Sequence, residues 1–239
     1  MTSADVKTPT ESARYRQIRF ETPPGATELL LIRHGESAAF VPGHPPPSVD
    51  GHSDPELASE GHIQAERVAE RLASEQIDAI YVTPLRRTAQ TAGPLAQRLG
   101  LEPRVEPGLR EVHLGEWEGG EFRRHVIEGH PTAQRMYAEQ RWDVIPGAEP
   151  MARFERRVRE AVERIVAAHP DQRVAVFAHG GVIGQVLSIA SGATALAFGQ
   201  SDNGSISHVV VQPERWNVRR FNDTAHLDPR FSVVGAPLT

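Results

Sequence analysis

Short apolar segments alternate with amphipathic ones along most of the chain, and this alternation limits the folds that are open to it. Three apolar runs have the length and composition of strands: residues 29–33, 77–84 and 173–181. Segments with apolar residues at helical spacing follow them: residues 59–75, 86–100 and 181–192. Such alternation predicts an α/β protein, a three-layer α/β/α sandwich around a largely parallel sheet.

Individual residues indicate where some elements begin and end. Ser59 is placed to cap the first of these helices, and Gly100 to end the second. A long helix is predicted over residues 150–168, where four apolar residues form one stripe: Phe154, Val158, Val162 and Ile165. Residues 206–212 and 215–222 predict a closing β-hairpin.

The chain divides into two unequal parts. Residues 1–26 are polar and predict an N-terminal arm that is poorly ordered or extended. Residues 27–239 predict a single α/β domain with an irregular insert over 112–148. Residues 38–56, rich in Pro, Gly and His, predict a loop that overhangs the ligand-binding edge of the sheet.

Composition excludes several classes of function. The net charge of −5 and the pI near 6.1 argue against nucleic acid as a partner. With no cysteine, the chain cannot form disulfides or thiolate metal sites, which is compatible with a reducing cytosol. No apolar run has the length of a membrane span, and the N-terminus lacks a signal-peptide core. We therefore expect a cytoplasmic protein without membrane partners.

Reactive polar residues directly follow the apolar runs. Arg33 and His34 follow the first run, Arg87 follows the second, and His179 and Gly180 end the third. In a parallel sheet these residues meet at one edge, where ligands bind. Guanidinium groups bind phosphate oxygens in pairs, and the free N–H groups of a helix N-terminus accept anions. The pattern therefore predicts a phosphate site.

Five segments in chain order resemble motifs of the histidine phosphatase superfamily, in its phosphoglycerate-mutase-like branch: LIRHGES (31–37), DPELASEGHIQAERVAERL (54–72), VTPLRRTAQTA (82–92), LREVHLGEWEG (109–119) and VFAHGGVI (176–183). The resemblance covers about residues 28–225. It implies a phosphoglycerate-mutase-like fold and five catalytic residues: His34, Arg33, Arg87, Glu111 and His179.

The resemblance also implies a reaction through a covalent phosphohistidine. Neutral His34 attacks phosphorus, while its other ring nitrogen bonds to a backbone carbonyl. Arg33, Arg87 and protonated His179 bind the phosphate oxygens, so both histidines are expected to line one hollow. Glu111 acts first as general acid and then as general base. No metal or other cofactor is implied, and a bell-shaped pH profile centred on mildly acidic to neutral pH is expected.

Some positions depart from the family pattern or leave alternatives open. Phe40 stands where relatives often have asparagine, so a hydrogen bond to the phosphate is either missing or supplied by Ser37. Gly180 is a further candidate for phosphate binding. Glu149 either pairs with the arginines or is a favourable acid at a helix N-terminus, which Pro150 begins.

Other polar and aromatic residues have less certain roles. Candidates for the substrate rim are His44, His52, Arg86, Arg110 and His113. Trp117 and Trp142 either pack in the core or shape a specificity wall. Asn203 and Ser205 lie in a turn that could support the phosphate site.

Three functions fit this sequence. The leading hypothesis is a phosphatase of small phosphorylated metabolites. Phosphoglycerate mutase ranks behind it, because the tryptophan-asparagine pair that usually follows the signature in mutases is absent here. A non-catalytic phospho-ligand binding protein is the third. Sugar phosphates, phosphoglycerates, nucleotides and phosphoproteins all stay open as substrates, and a homodimer or higher oligomer is expected by analogy with relatives.

Overall fold

A six-stranded mixed sheet forms the middle layer of the protein. The computed structural model describes residues 17–194 and 196–230. Its strands are β1 (Thr27–Arg33), β2 (Ser48–Val49), β3 (His52–Ser53), β4 (Ala79–Val82), β5 (Arg104–Val105), β6 (Arg173–Ala178), β7 (Ile206–Gln212) and β8 (Arg215–Asp223). The order is β5-β4-β6-β1-β7-β8, with the first four strands parallel and β7 and β8 antiparallel to their neighbours. β2 and β3 form a separate small hairpin.

Six α-helices accompany these strands in the described residues: α1 (Ser59–Leu72), α2 (Arg86–Leu99), α3 (Glu121–Ile127), α4 (Pro131–Glu139), α5 (Met151–Ala168) and α6 (Gly180–Ser191). In addition, short 3₁₀ turns occur at residues 107–109, 115–117 and 142–144. The insert over 112–148 is therefore partly helical, containing α3 and α4. Neither helix is long enough to give a clear periodic signal in the sequence.

The apolar run of β1 is explained by its position in the sheet. Leu29 and Leu31 pack into the core beneath α5 and α6, whereas Leu30 and Ile32 pack into a second core beneath α1 and α2. A strand that is buried on both faces needs apolar residues at successive positions. Helices therefore cover both faces of the sheet, and the predicted three-layer sandwich is confirmed.

Two boundary predictions have opposite outcomes. Gly100 ends α2 in the left-handed conformation, with φ of 67°, as expected. The prediction that Ser59 caps α1 is wrong, because Ala58 occupies the cap position and α1 has no side-chain cap. The N–H of Ala58 donates to the carbonyl of Glu36 at 2.9 Å, which holds the chain extended there and places Ser59 inside the helix.

The N-terminal prediction is only partly covered by the structure. Residues 1–16 lie outside the described residues, and residues 17–26 form neither helix nor strand before β1 begins. Within this stretch, the guanidinium of Arg219 lies 3.8 Å from the ring centroid of Phe20. Among the helices of residues 17–194 and 196–230, none combines the length and the apolar character needed to span a bilayer.

Candidate active site

Two histidines leave adjacent parallel strands at the same edge of the sheet. Arg33, the last residue of β1, is in register with Ala178, the last residue of β6. The N–H of His34 donates to the carbonyl of Ala178 at 3.0 Å, so His34 and His179 begin their loops side by side. Because β4 lies on the other side of β6, the loop into α2 reaches the same edge. The topology thus brings together the residues predicted to meet.

The ring of His34 is held in one tautomer. Its Nδ1 lies 2.7 Å from the carbonyl oxygen of Gly35, which can only accept, so Nδ1 carries the proton. Burial and the cations Arg87 and Arg33 lower the pKa of His34 well below its usual value. The imidazole is therefore neutral at neutral pH, and its Nε2 has an available lone pair.

Hydrogen bonds from three directions hold the backbone around His34. The side-chain amide of Asn203 donates to the carbonyl of His34 at 2.8 Å, and the hydroxyl of Thr91 accepts from the N–H of Gly35 at 3.0 Å. The carbonyl of Ser205 accepts from the N–H of Arg33 at 3.1 Å. The turn containing Asn203 and Ser205 therefore supports His34, the role suggested for it from the sequence.

His179 lies behind His34, and the expectation that both histidines line one hollow is wrong. The side chain of His179 is fully buried, and the cavity is lined without it. Its ring packs edge-on against His34, with the centroids 5.2 Å apart. Its Nε2 is 2.9 Å from the hydroxyl of Thr83, while its Nδ1 has no hydrogen-bond partner among the described residues. Burial, and to a smaller extent the charge of Arg87, lowers the pKa of His179 well below its usual value. This shift favours neutral His179, whereas the protonated form is expected from the sequence.

Arg33 and Arg87 place two guanidinium groups at the His34 end of the cavity. Arg87, the second residue of α2, donates to the carbonyl of Ser53 at 2.9 Å, and Arg33 donates to the carbonyl of Ser201. Burial lowers the pKa of Arg87 to about 10 and lowers that of Arg33. Arg87 therefore carries its charge at neutral pH, in a position to meet an anion.

Glu111 lies at the N-terminus of α6 and lines the same cavity as the two arginines. Its Oε1 accepts the N–H of Val112 at 2.9 Å and its Oε2 accepts the N–H of Gly181 at 3.1 Å. Burial raises the pKa of Glu111, against the opposing effects of these two hydrogen bonds and of Arg87 and Arg33. A carboxyl with a raised pKa at a cavity wall is suited to give and take a proton.

An ion pair that the sequence did not predict holds the Glu111 segment in place. Arg157 on α5 binds both carboxylate oxygens of Glu149, at 2.8 and 2.7 Å. The same guanidinium donates to the carbonyls of Gly108, Arg110 and Glu111 at 2.7–2.9 Å. Glu149 thus pairs with an arginine, but with Arg157 and not with the phosphate-site arginines considered from the sequence.

A third arginine also lines the cavity. Arg123 on α3 donates to the carbonyl of Ala38 at 3.0 Å and to the hydroxyl of Ser37. Ser37 is buried and lines the cavity; its oxygen accepts from Arg123, and its hydroxyl proton is left to donate. Arg123 was missed because it comes from the insert, where nothing in the local sequence separates it from an exposed helical arginine.

The cavity at this edge encloses about 600 Å³. Its lining includes His34, Arg33, Arg87, Glu111 and Gly180 among the residues predicted for catalysis and phosphate binding. Among the described residues, no group of three or more His, Asp or Glu side chains is arranged to hold a metal ion.

The predicted rim residues are divided between cavity and surface. His44, His52 and Arg86 line the cavity, as do Trp117 and Trp142, which are also buried in the core. Arg86 is paired with Asp54 at 2.9 Å.

Arg110 and His113 are outside the lining. The reason is local: Arg110 pairs with Asp50 at 2.8 Å, and the ring of His113 packs edge-on against His52, with the centroids 5.0 Å apart. The rim does not include them.

Fold and site together define an α/β sandwich with a histidine- and arginine-lined cavity at the carboxyl ends of its parallel strands. The family model for the histidine phosphatase superfamily (branch 1) matches residues 29–224. The chain belongs to this superfamily, and the resemblance inferred from five short motifs is confirmed.

Individual relatives include both mutase-like proteins and phosphatases. Phosphoglycerate mutase-like protein 4 of Arabidopsis thaliana is 32% identical over 206 residues, covering 84% of this chain and 87% of that protein. The metal-independent phosphoserine phosphatase of the same plant is 31% identical over 206 residues, covering 84% and 83%. The structure of a mycobacterial glucosyl-3-phosphoglycerate phosphatase matches with a TM-score of 0.69 at 28% identity, covering 83% of this chain and all of that one. The predicted phosphoglycerate-mutase-like fold is thereby confirmed.

Proposed function

We propose that this protein is a phosphatase that hydrolyses small phosphomonoesters through a covalent phosphohistidine on His34. The observation that carries the proposal is the 2.7 Å bond between Nδ1 of His34 and the carbonyl of Gly35. This bond leaves Nε2 as the nucleophilic nitrogen of a neutral imidazole, at the cavity wall that also presents Arg33 and Arg87. Two relatives whose names include a phosphatase activity support the same reaction class.

In the first step, the lone pair of Nε2 forms a bond to phosphorus and the ester P–O bond breaks. Glu111 gives its proton to the departing oxygen, so the leaving group is released as a neutral alcohol. Arg33 and Arg87 bind the three non-bridging oxygens as negative charge spreads over them. The proton of His34 stays on Nδ1, and its hydrogen bond to the carbonyl of Gly35 stabilises the cationic phosphoimidazole.

In the second step, the carboxylate of Glu111 takes a proton from water, and the resulting hydroxide attacks phosphorus. The P–N bond breaks, its electron pair returns to Nε2, and inorganic phosphate is released. Glu111 ends protonated and His34 neutral, which restores the starting state. The guanidinium groups supply the positive charge for both steps, so we propose a metal-independent enzyme, in keeping with the name of one relative.

Phosphoglycerate mutase is the second candidate, because one relative is named a phosphoglycerate mutase-like protein. A mutase must hold a phosphoglycerate, whose carboxylate and second phosphate position need cationic partners away from the phosphohistidine. Beyond the phosphate end, a large part of the wall is apolar, and the two arginines there are bonded within the protein, Arg86 to Asp54 and Arg123 to Ser37 and the carbonyl of Ala38. This wall favours the phosphatase over the mutase.

The proposal is tested by replacing the nucleophile. His34→Ala should lower the hydrolysis of para-nitrophenyl phosphate to a small residual rate, whereas His62→Ala, at an exposed position of α1 outside the cavity, should retain activity within a few-fold. Measuring phosphate release alongside mutase flux with a bisphosphoglycerate primer distinguishes the two candidates. Full activity in His34→Ala would rule out this mechanism.

A further inference from the structure

The cavity is much larger than a phosphate group requires. It encloses about 600 Å³, which lies within the range of roughly 300–1,000 Å³ that holds whole drug-sized ligands. His34, Arg33 and Arg87 occupy only the end that is formed by the strands and α2. The remaining space is available to the leaving group of the substrate.

A large part of the wall around this remaining space is apolar, beside polar residues such as Arg123, His44 and His52. The apolar side chains come from the 38–55 loop, the insert and the segment after α6: Ala38, Ala39, Phe40, Pro46, Pro47, Pro55, Leu114, Trp117, Phe122, Tyr137, Trp142 and Leu196. Phe40, Phe122 and Tyr137 are only half-buried, so their rings have surface to offer a ligand. Trp117 and Trp142 lie deeper and support Phe122, with ring centroids at 6.2 and 5.9 Å.

Several charged side chains in the lining are already engaged within the protein. Arg86 pairs with Asp54 at 2.9 Å. Glu118 accepts from the hydroxyl and the N–H of Ser53 at 2.6 and 2.8 Å, and from the N–H of Leu114 at 2.9 Å. Arg123 donates to the hydroxyl of Ser37 and to the carbonyl of Ala38. A zwitterionic leaving group would lose hydration here beside charged groups that are already bonded within the protein.

We infer that the leaving group of the natural substrate is a bulky alcohol with a largely apolar surface, of the aryl or alkyl-chain class. This inference rests on the proposed phosphatase function. Burying a methylene group against carbon improves binding about fourfold, so each carbon that enters the apolar part of the cavity raises kcat/KM. In amino-acid and glycerate phosphates the few carbons lie next to charged groups and offer no apolar chain.

The test is a series of alkyl phosphates with matched leaving-group chemistry. The kcat/KM values of ethyl, butyl and hexyl phosphate are compared with those of O-phosphoserine and 3-phosphoglycerate. The value should rise at least tenfold from ethyl to hexyl, and hexyl phosphate should exceed both polar esters. A flat series, or preference for either polar ester, would overturn the inference while leaving the phosphatase proposal intact. Absence of His34-dependent turnover with every ester would overturn both.

Substitutions in the cavity wall test which side chains produce the preference for longer alkyl phosphates. Phe40→Ser and Phe122→Ser should each lower the hexyl-to-ethyl ratio at least fivefold while ethyl phosphate is still hydrolysed. Phe20→Ser, which changes an exposed ring outside the cavity, should leave the ratio unchanged. Because the ratio is taken within one preparation, it does not depend on the folded fraction. An unchanged ratio in both wall variants would contradict the assignment.

Discussion

Glu111 accepts a hydrogen bond from the backbone N–H of Gly181 at 3.1 Å, which ties the candidate proton donor to the first turn of α6. The contact is close because residue 181 has no side chain. A Cβ built there would lie 2.5 Å from Oε1 of Glu111 and 3.3 Å from a methyl of Val112. Glycine at this position therefore determines where the carboxyl can sit.

Gly181→Ala should displace Glu111 and lower kcat for an alkyl phosphate by about 10²-fold, the lower range for a lost general acid. The effect should be smaller for para-nitrophenyl phosphate, whose leaving group needs no proton. Gly93→Ala is the matched control, since a Cβ at this position in α2 meets nothing within 4 Å. We expect the control to keep full activity and to gain about 0.5–1 kcal/mol in unfolding free energy. Equal activity of the two variants would argue against the role of Glu111.

The pH dependence of kcat/KM follows from the two shifted groups. His34 must be neutral, and burial and the arginines lower its pKa below 6.5, so activity is lost only as pH falls through that lowered value. Glu111 must be protonated, and burial raises its pKa above 4.5, so activity falls as pH rises through that raised value. We expect a bell with a mildly acidic optimum, measured with an alkyl phosphate under subsaturating conditions.

Glu111→Gln identifies the alkaline limb of this profile. The amide cannot titrate, so the activity of this variant should no longer fall at high pH. The fall in activity at low pH, which His34 produces, should stay. A rate that rises steadily into strong alkali in the unaltered enzyme would contradict both assignments.

The pair formed by Arg157 and Glu149 should be important for stability and for the position of Glu111. Glu149→Ala leaves Arg157 without its carboxylate partner and should lower the unfolding free energy by on the order of 3 kcal/mol. Arg157→Lys keeps the charge but loses the paired geometry, so kcat should fall with little change in KM.

Arg153→Ala serves as the control for this pair. Arg153 is 3.8 Å from Glu149 and its side chain is 72% exposed. Its removal should change the unfolding free energy by no more than about 0.5 kcal/mol, as measured by urea denaturation. A large loss of stability in this control would mean that the contribution of Glu149 to stability comes from several neighbouring charges and not from its pair with Arg157.

Arg86 and Arg87 allow the phosphate site to be tested by measuring the binding of inorganic phosphate, with no reaction needed. Inorganic phosphate should raise Tm, because it binds the folded protein alone. Arg87→Gln should weaken phosphate binding about 10–100-fold, since hydrogen bonds to a charged group are lost from a buried site. Arg86→Gln, whose residue is exposed and paired with Asp54, should bind phosphate within about threefold of the unaltered protein. Equal losses in both variants would place the anion elsewhere.

Local sequence signals predicted the sheet and the residues at its edge. The apolar run before Arg33 required a strand buried on both faces, and strand adjacency then brought His34 next to the loop of His179. The orientation of His179 could not be read in this way, because it depends on the hydroxyl of Thr83, which directly follows a third strand, β4. Sequence signals therefore predicted which residues lie at the edge of the sheet, but not which groups their side chains contact.

Arg123 and Arg157 show two reasons why functional residues escape sequence analysis. Arg123 reaches the cavity only through the packing of the insert, which involves contacts far apart in the chain. Arg157 did have a signal: it lies three residues after Phe154, on the flank of the apolar stripe of α5, and its guanidinium packs over that ring at 4.8 Å. A charged group beside a buried face needs a partner, so this position was a signal for an ion pair, but the sequence alone did not identify Glu149 as the acid.

The most direct test of the account is to capture the covalent intermediate. The enzyme is mixed with ³²P-labelled substrate, quenched within milliseconds, and the labelled peptide is identified by mass spectrometry. We expect one phosphoryl group on His34, acid-labile and stable in base, that is absent from His34→Ala and still formed in His62→Ala. Label that persists in His34→Ala, or that is found on another side chain, would contradict the proposal that His34 is the nucleophile.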